Sequence, residues 1–154
     1  MSNYHRIYTC DVSNGEGVRV TLFLSGCIHA CEGCYNESTW NPKSGLELTD
    51  EIIERMLDDC DRHDGLSLSG GDPLHLRNRS TVLDVCTRFK RRYPTKDIWM
   101  WTGFTFEDVQ SDPIVAEIFK LVDVVIDGKY EKDNPTLKPW RGSDNQRLIY
   151  TQKV

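Results

Sequence analysis

The sequence predicts an α/β fold: an open, mostly parallel sheet with flanking helices, formed by residues 1–154 as a single domain. Three observations predict it. The runs VRVTLFLS (18–25), LSLS (66–69), IWMW (98–101) and VDVVID (122–127) are nearly continuous in apolar and β-favouring residues, as strands covered on both faces are. Between these runs lie stretches whose apolar residues recur at helical spacing. Each run also ends in a chemically distinctive loop, and ligands of parallel α/β sheets bind at the carboxyl ends of strands. Strand, loop and helix in alternation give a parallel sheet with helices packed on it. Four such strands cannot close an eight-stranded barrel, so the sheet is expected to stay open or form half a barrel.

The elements follow in order. Residues 18–25 form a strand that stops at Gly26 and opens into a loop holding Cys27, Cys31 and Cys34. A helix is predicted over 49–62, with Thr49 as its cap, Asp50 and Glu51 in the first turn, and Ile52, Ile53, Met56, Leu57 and Cys60 at helical spacing. Gly65 marks its exit, and the strand 66–69 ends in Gly70-Gly71-Asp72-Pro73. The next helix covers about 80–92, with Val82, Val85, Cys86 and Phe89 on one face; Lys90-Arg91-Arg92 suit its terminal dipole and Pro94 stops it. In the strand 98–101, Trp99 and Trp101 are expected to be core residues on opposite sides. A helical stretch broken or restarted at Pro113 should turn Ile114, Val115, Ile118 and Phe119 inward, before the strand 122–127 ends at Gly128. Residues 129–154 read as an extended C-terminal segment. Within 129–147, five cations (Lys129, Lys132, Lys138, Arg141, Arg147) oppose three acids (Glu131, Asp133, Asp144), a local excess of positive charge expected to cross the sheet or its mouth, to close a site or to meet a partner.

Composition bounds the function. Lys and Arg total 19 against 24 Asp and Glu, a net charge of −5, which gives little electrostatic reason to expect nucleic acid. A hydrophobic fraction of 38% with 28% charged residues fits a globular chain. No stretch approaches the ~18–20 apolar residues that span a bilayer. The opening MSNYHRIYTC lacks a basic-then-apolar targeting pattern, so a cytoplasmic location and no membrane partner are expected. Of six cysteines, Cys60 and Cys86 sit on apolar helix faces as small core residues, and Cys10 stands apart. The other three fall within residues 27–34, and in a reducing compartment clustered thiols are metal ligands or redox groups.

Cys27-x₃-Cys31-x₂-Cys34 gathers soft thiolates suited to iron or zinc within one short loop. Three ligands do not complete a Cys₄ zinc site, and the paired C-x₂-C knuckles of structural zinc are absent. Three readings stay open: a 4Fe–4S cluster with one iron left for an outside ligand, a zinc site completed by Cys10 or His29, and unligated thiols. His29 itself is expected to face solvent or a partner. Gly70-Gly71 after a strand lets the main chain approach a ligand closely, and the loop lacks the G-x₄-G-K-S/T phosphate cradle.

Taken together, these segments resemble the radical S-adenosylmethionine enzymes, and more closely the glycyl-radical-enzyme activases that serve the anaerobic ribonucleoside-triphosphate reductase. The similarity runs nearly end to end, through Asn14-Gly15-x-Gly17-x-Arg19, Cys31-Glu32-Gly33-Cys34-Tyr35-Asn36, Ser38-Thr39-Trp40 and Leu68 to Leu74. It continues through Lys96 to Gly103, Asp127-Gly128-Lys129 and Trp140-Arg141-Gly142-Ser143-x-Asn145-Gln146. One departure is Gly33, where many of these enzymes place an aromatic residue before the third cysteine; here Tyr35 follows it. The resemblance implies a truncated (half) βα barrel of the radical SAM type. It implies a 4Fe–4S cluster on Cys27, Cys31 and Cys34, and S-adenosylmethionine contacts from Gly33, Cys34, Tyr35, Gly70, Gly71 and Asp72. No catalytic side chain is implied beyond the cluster and S-adenosylmethionine. The implied partners are the large glycyl-radical subunit of the reductase and an electron donor such as a flavodoxin. The alternatives are an activase of another glycyl-radical enzyme, such as one resembling pyruvate formate-lyase, and a non-enzymatic zinc or iron–sulfur binding module.

Overall fold

A computed structural model describes residues 2–34 and 37–151. Strands β1 (Asn3–Asp11), β2 (Arg19–Leu24), β3 (Leu46–Glu47), β4 (Gly65–Gly70), β5 (Asp97–Trp101), β6 (Val124–Asp127) and β7 (Arg147–Tyr150) form one sheet in the order β3-β1-β2-β4-β5-β6-β7. The four strands predicted as apolar runs are its centre: β2 pairs with β4, β4 with β5 and β5 with β6, all in parallel. Antiparallel strands flank them, β1 between β3 and β2 on one side and β7 against β6 on the other. The protein is therefore a mixed α/β fold with a mostly parallel seven-stranded sheet and flanking helices. Within the segment expected to be extended, Arg147–Tyr150 pair as β7, Leu148 opposite Ile126.

The helices form for local reasons that the sequence states. In α1 (Asp50–Asp59), the Thr49 hydroxyl accepts a hydrogen bond from the Ile52 N–H, and a 3₁₀ turn over Cys60–Arg62 completes the predicted span. Helix α2 covers Arg79–Arg92, with Val82, Val85, Cys86 and Phe89 buried. The third helical stretch is broken: α3 (Phe106–Val109) ends before α4 (Pro113–Leu121) restarts. Asp112 caps α4 by accepting from the N–H groups of Ile114 and Val115, with Pro113 in the first turn where its missing N–H costs nothing. Val115, Ile118 and Phe119 are buried as expected, but Ile114 is 36% exposed. The buried stripe of α4 continues to Val122, and Ile114 lies on its flank in the exposed first turn. No helix among the described residues is long and apolar enough to cross a membrane.

The two faces of the sheet differ. Val20, Leu22 and Leu24 of β2, Leu66 and Leu68 of β4, and Ile98 and Met100 of β5 join the main core with residues of α1, α2 and α4. The alternate positions, Trp99, Val124 and Ile126, form a smaller cluster with Trp101, Trp140 and Leu148. Trp99 and Trp101 thus share a face, their rings stacked at 6.0 Å, instead of pointing to opposite sides. The strand period is two, so residues two apart point the same way.

On that second face Arg19 is fully buried. Its Nε donates to the Ser67 hydroxyl (2.7 Å), its other nitrogens donate to the carbonyls of Glu16 (2.9 Å), Leu66 (3.0 Å) and Asp97 (3.2 Å), and it pairs with the Asp97 carboxylate at 2.8 Å. The guanidinium also lies over the Trp99 ring. Arg19→Met keeps the stem and removes every one of these bonds, so the expected loss of stability is about 3 kcal/mol. Urea unfolding of the cluster-free protein measures it; a loss below about 1 kcal/mol would remove the network from the account of stability.

Candidate functional site

Parallel pairing in register places the ends of β2, β4, β5 and β6 along one edge, Leu24 opposite Gly70 and Trp101 opposite Ile126. The loops after these strands leave side by side. Beyond β2 the chain is tied down before the cysteines begin: Gly26 N–H donates to Thr39 O (2.6 Å) and Cys27 N–H to Trp40 O (2.9 Å). Each spacer of the cysteine loop then holds one residue in the left-handed region, Ala30 (φ 48°) between the first two cysteines and Gly33 (φ 75°) between the last two. The Cys34 N–H closes a turn onto Cys31 O (3.1 Å). This winding turns Cys27, Cys31 and Cys34 onto one cavity of about 190 Å³.

The remaining walls come from the other loops. Gly70 ends β4 and Gly71 follows it, Thr102 and Gly103 follow β5, and Gly128 follows β6. Residues that sequence reasoning did not assign to the site complete it: Trp101, Tyr130, Trp140, Gly142 and Gln146. The C-terminal segment holds its own course across the mouth. Trp101 Nε1 donates to Trp140 O (2.8 Å), Gln146 Oε1 accepts from Gly142 N–H (2.7 Å), and Gln146 Nε2 donates to Gly128 O (2.9 Å). Lys132 reaches Glu32 of the cysteine loop at 2.7 Å. At the end of the segment, Arg147 meets the buried carboxylate of Asp127 at 2.6 Å. In the sequence, the signs of these wall residues were the Lys96 to Gly103 and Trp140 to Gln146 segments of the family resemblance and the expectation that the positively charged 129–147 segment crosses the mouth; the C-terminal segment has no periodicity that would single out its residues.

Of the residues expected to touch S-adenosylmethionine, Cys34, Gly70 and Gly71 line the cavity. Gly33 packs beside the Lys132 side chain, and Tyr35 lies outside the described residues. Asp72 is fully buried beneath the loops. Its Oδ1 accepts from Leu74 N–H (2.9 Å) and the Thr102 hydroxyl (2.8 Å), while its Oδ2 accepts from Gly103 N–H (2.9 Å) and lies 2.6 Å from His29 Nε2. His29 does not face solvent: its side chain is 5% exposed, held between Asp72 and the edge of Phe104.

Burial pushes the Cys27 thiol up to about 11, Asp72 and the other two cysteines push the same way, and the His29 backbone N–H only partly offsets them. A coordinated metal deprotonates a thiol outright, so this upward push at Cys27 does not oppose ligation. The donor set fits an iron–sulfur cluster: three sulfurs on one cavity. It serves the zinc alternatives less well: Cys10 is exposed on β1 and does not line the cavity, and His29 Nε2 is already hydrogen-bonded to Asp72.

Comparison with known proteins agrees with this chemistry. The family model described as a 4Fe-4S single cluster domain matches residues 13–149. The chain is 51% identical over 148 residues to the anaerobic ribonucleoside-triphosphate reductase-activating protein of Enterobacteria phage T4, covering 95% of this chain and 92% of that one. The proteins of the same name from Vibrio cholerae (48% over 150 residues, 94% and 95% covered) and Escherichia coli K12 (44% over 150 residues, 94% and 96% covered) are similar throughout.

Proposed function

The chain belongs to the 4Fe–4S single cluster family and, within it, to the anaerobic ribonucleoside-triphosphate reductase-activating proteins; from that premise we propose that it cleaves S-adenosylmethionine reductively and installs a glycyl radical on the large subunit of that reductase. One observation carries the proposal: three cysteines, and among the described residues no fourth, line a cavity that Gly70 and Gly71 line as well. Three ligands leave one corner of a 4Fe–4S cluster for an outside molecule.

In this reading Cys27, Cys31 and Cys34 hold the cluster. A reduced cluster held there would supply the one electron needed to cleave S-adenosylmethionine to methionine and a 5′-deoxyadenosyl radical, and that radical would take a hydrogen atom from a backbone glycine of the reductase. The chain's own residues bind and shield. Gly33, Cys34 and Tyr35, with Gly70 and Gly71 opposite, bind S-adenosylmethionine, and Asp72 serves from within the glycine loop. The main chain at Gly70 and Gly71 can come close to a ligand because no side chains stand in the way. Trp101, Tyr130 and Trp140 put aromatic walls against water, which would quench reactive chemistry. We read the open sheet as half of a βα barrel, whose missing wall the reductase supplies as it presents its glycine loop. The protein would work in the cytoplasm beside an electron donor such as a flavodoxin, without a nucleic-acid or membrane partner.

Anaerobic purification, metal analysis and electron paramagnetic resonance (EPR) of the reduced protein, with and without S-adenosylmethionine, test the proposal. The expected result is iron and sulfide near four each per chain, a cluster signal that changes on adding S-adenosylmethionine, and a glycyl-radical signal once the reductase is added. Zinc in place of iron, or a cluster signal indifferent to S-adenosylmethionine, overturns it.

A further inference from the structure

We propose that Asp72 and His29 are positioning residues: the buried Asp72 carboxylate locks the cysteine, glycine and β5 loops together through four hydrogen bonds, and His29 is the arm by which it holds the cysteine loop. The inference rests on the proposed function and deepens it, because it assigns Asp72 to the placing of the cysteine loop and not to direct contact with S-adenosylmethionine.

A carboxylate has about four sites at which to accept hydrogen bonds. Those of Asp72 are taken by Leu74 N–H within its own loop, by the Thr102 hydroxyl and Gly103 N–H after β5, and by His29 of the cysteine loop. Its carbonyl is occupied as well, accepting from Asn78 Nδ2 at 3.0 Å and from His75 N–H at 3.1 Å. Nothing on Asp72 remains for an outside ammonium group. Cys27, His29 and Asp72 bring ligand atoms within 4.8 Å of one another, yet the saturation of the carboxylate makes this a lock and not a second metal site.

The His29 ring is pinned from several sides. Phe104 meets it edge-on, with centroids 4.5 Å apart and planes at 75°. Gly103 passes so close that a Cβ there would lie 2.4 Å from the ring, so only glycine admits the imidazole. His29 occupies the spacer between Cys27 and Cys31. Moving the ring therefore moves two of the three sulfurs relative to Gly70 and Gly71. Hydrogen bonds to a charged acceptor are among the stronger side-chain contacts, so this lock sets the loop before any cluster arrives.

His29→Leu keeps bulk and removes the donor; His29→Gln keeps a donor of similar reach. In the cluster-free protein, hydrogen exchange of the amides within 27–34 is expected to speed up about 10-fold or more in His29→Leu and to return near wild type in His29→Gln, with the α2 amides unchanged. In reconstituted protein with full iron content, His29→Leu is expected to need about 10-fold more S-adenosylmethionine for the half-maximal change in the EPR signal, and His29→Gln to stay within about 3-fold of wild type. Wild-type exchange and a wild-type midpoint in His29→Leu overturn the inference, and so does a His29→Gln variant as impaired as His29→Leu. If the wild-type signal ignores S-adenosylmethionine, the proposed function falls; the exchange measurement still decides whether the lock exists.

Discussion

Cys31→Ala is expected to lose its cluster on anaerobic reconstitution and to activate the reductase at least about 1,000-fold less than wild type, because two thiolates do not retain a 4Fe–4S cluster against exchange with solution. Cys31 is the middle ligand, joined to Cys27 by one spacer and to Cys34 by the other, so no other cysteine can take its place: Cys10 is exposed on β1, and Cys60 and Cys86 are buried in helices. The variant should still fold. Cys31 is only half-buried at the loop and belongs to neither hydrophobic cluster. Unfolding of the cluster-free variant should match that of the cluster-free wild type within about 0.5 kcal/mol. Cys60→Ala and Cys86→Ala are the contrast. Burial pushes both thiols up to about 12, so neither offers a thiolate. Each should keep full iron while losing about 1 kcal/mol of stability to a small cavity. Iron and sulfide per chain, read beside the EPR spectrum, separate the two classes. Full iron and S-adenosylmethionine cleavage in Cys31→Ala would remove Cys31 from the ligand set.

The parts of the fold that were legible in the sequence are those buried on both sides. β2, β4, β5 and β6 read as apolar runs because α1, α2 and α4 cover one face and the Trp99 cluster, Arg19 and the C-terminal segment cover the other. The flanking strands carry no such signal. β1 (NYHRIYTCD) is mostly half-buried or exposed and its pairing with β2 slips at two places, so neither apolar content nor strict alternation marks it. β3 has two residues, both exposed, and β7 has none buried. Helix boundaries were legible where a residue type marks them: Thr49 as the cap of α1, and Pro113 as the restart of α4, where the capping role of Asp112 shows only in the structure. Trp99 and Trp101 lie on one face and not on opposite sides, because residues two apart on a strand point the same way, and Trp101 on that face lines the cavity.

The candidate site divides by the sequence distance of its contacts. The cysteine triad is local, so spacing alone exposed it. Asp72 and His29 could be singled out as residues, but their pairing joins positions 43 residues apart and the Thr102 contact spans 30, distances at which spacing carries no signal. Trp140 and Gln146 reach the mouth only because β7 pairs with β6 and draws the preceding segment across it. The excess of lysine and arginine there is partly spent within the molecule, Lys132 on Glu32, Lys138 on Asp144 and Arg147 on Asp127 and Glu107.

Gly70→Ala is expected to destabilise the protein by more than about 4 kcal/mol, a large share of the ~5–15 kcal/mol that holds a domain folded. Two demands meet at this residue. Its φ of +108° is one that side-chain-bearing residues rarely adopt. A Cβ there would also lie 2.4 Å from both the N and O atoms of Leu24 and 2.7 Å from the Phe23 carbonyl carbon. These are backbone atoms of β2, held by the parallel register of Leu24 with Gly70 and by the Gly71 N–H donating to Leu24 O at 2.8 Å. Relief would require the ends of β2 and β4 to part, and the cysteine loop leaves from one of those ends while the glycine loop leaves from the other. Gly128→Ala isolates the dihedral contribution. Its φ is +99°, but the nearest atoms to an added Cβ stand at 3.7 Å, so the expected cost is only about 1–2 kcal/mol. Urea unfolding of the two cluster-free variants, with far-ultraviolet circular dichroism to register loss of the fold, compares them directly. Equal, small losses at both positions would mean that the close approach of β2 to β4 at Gly70 is not what fixes the cysteine loop beside the glycine loop.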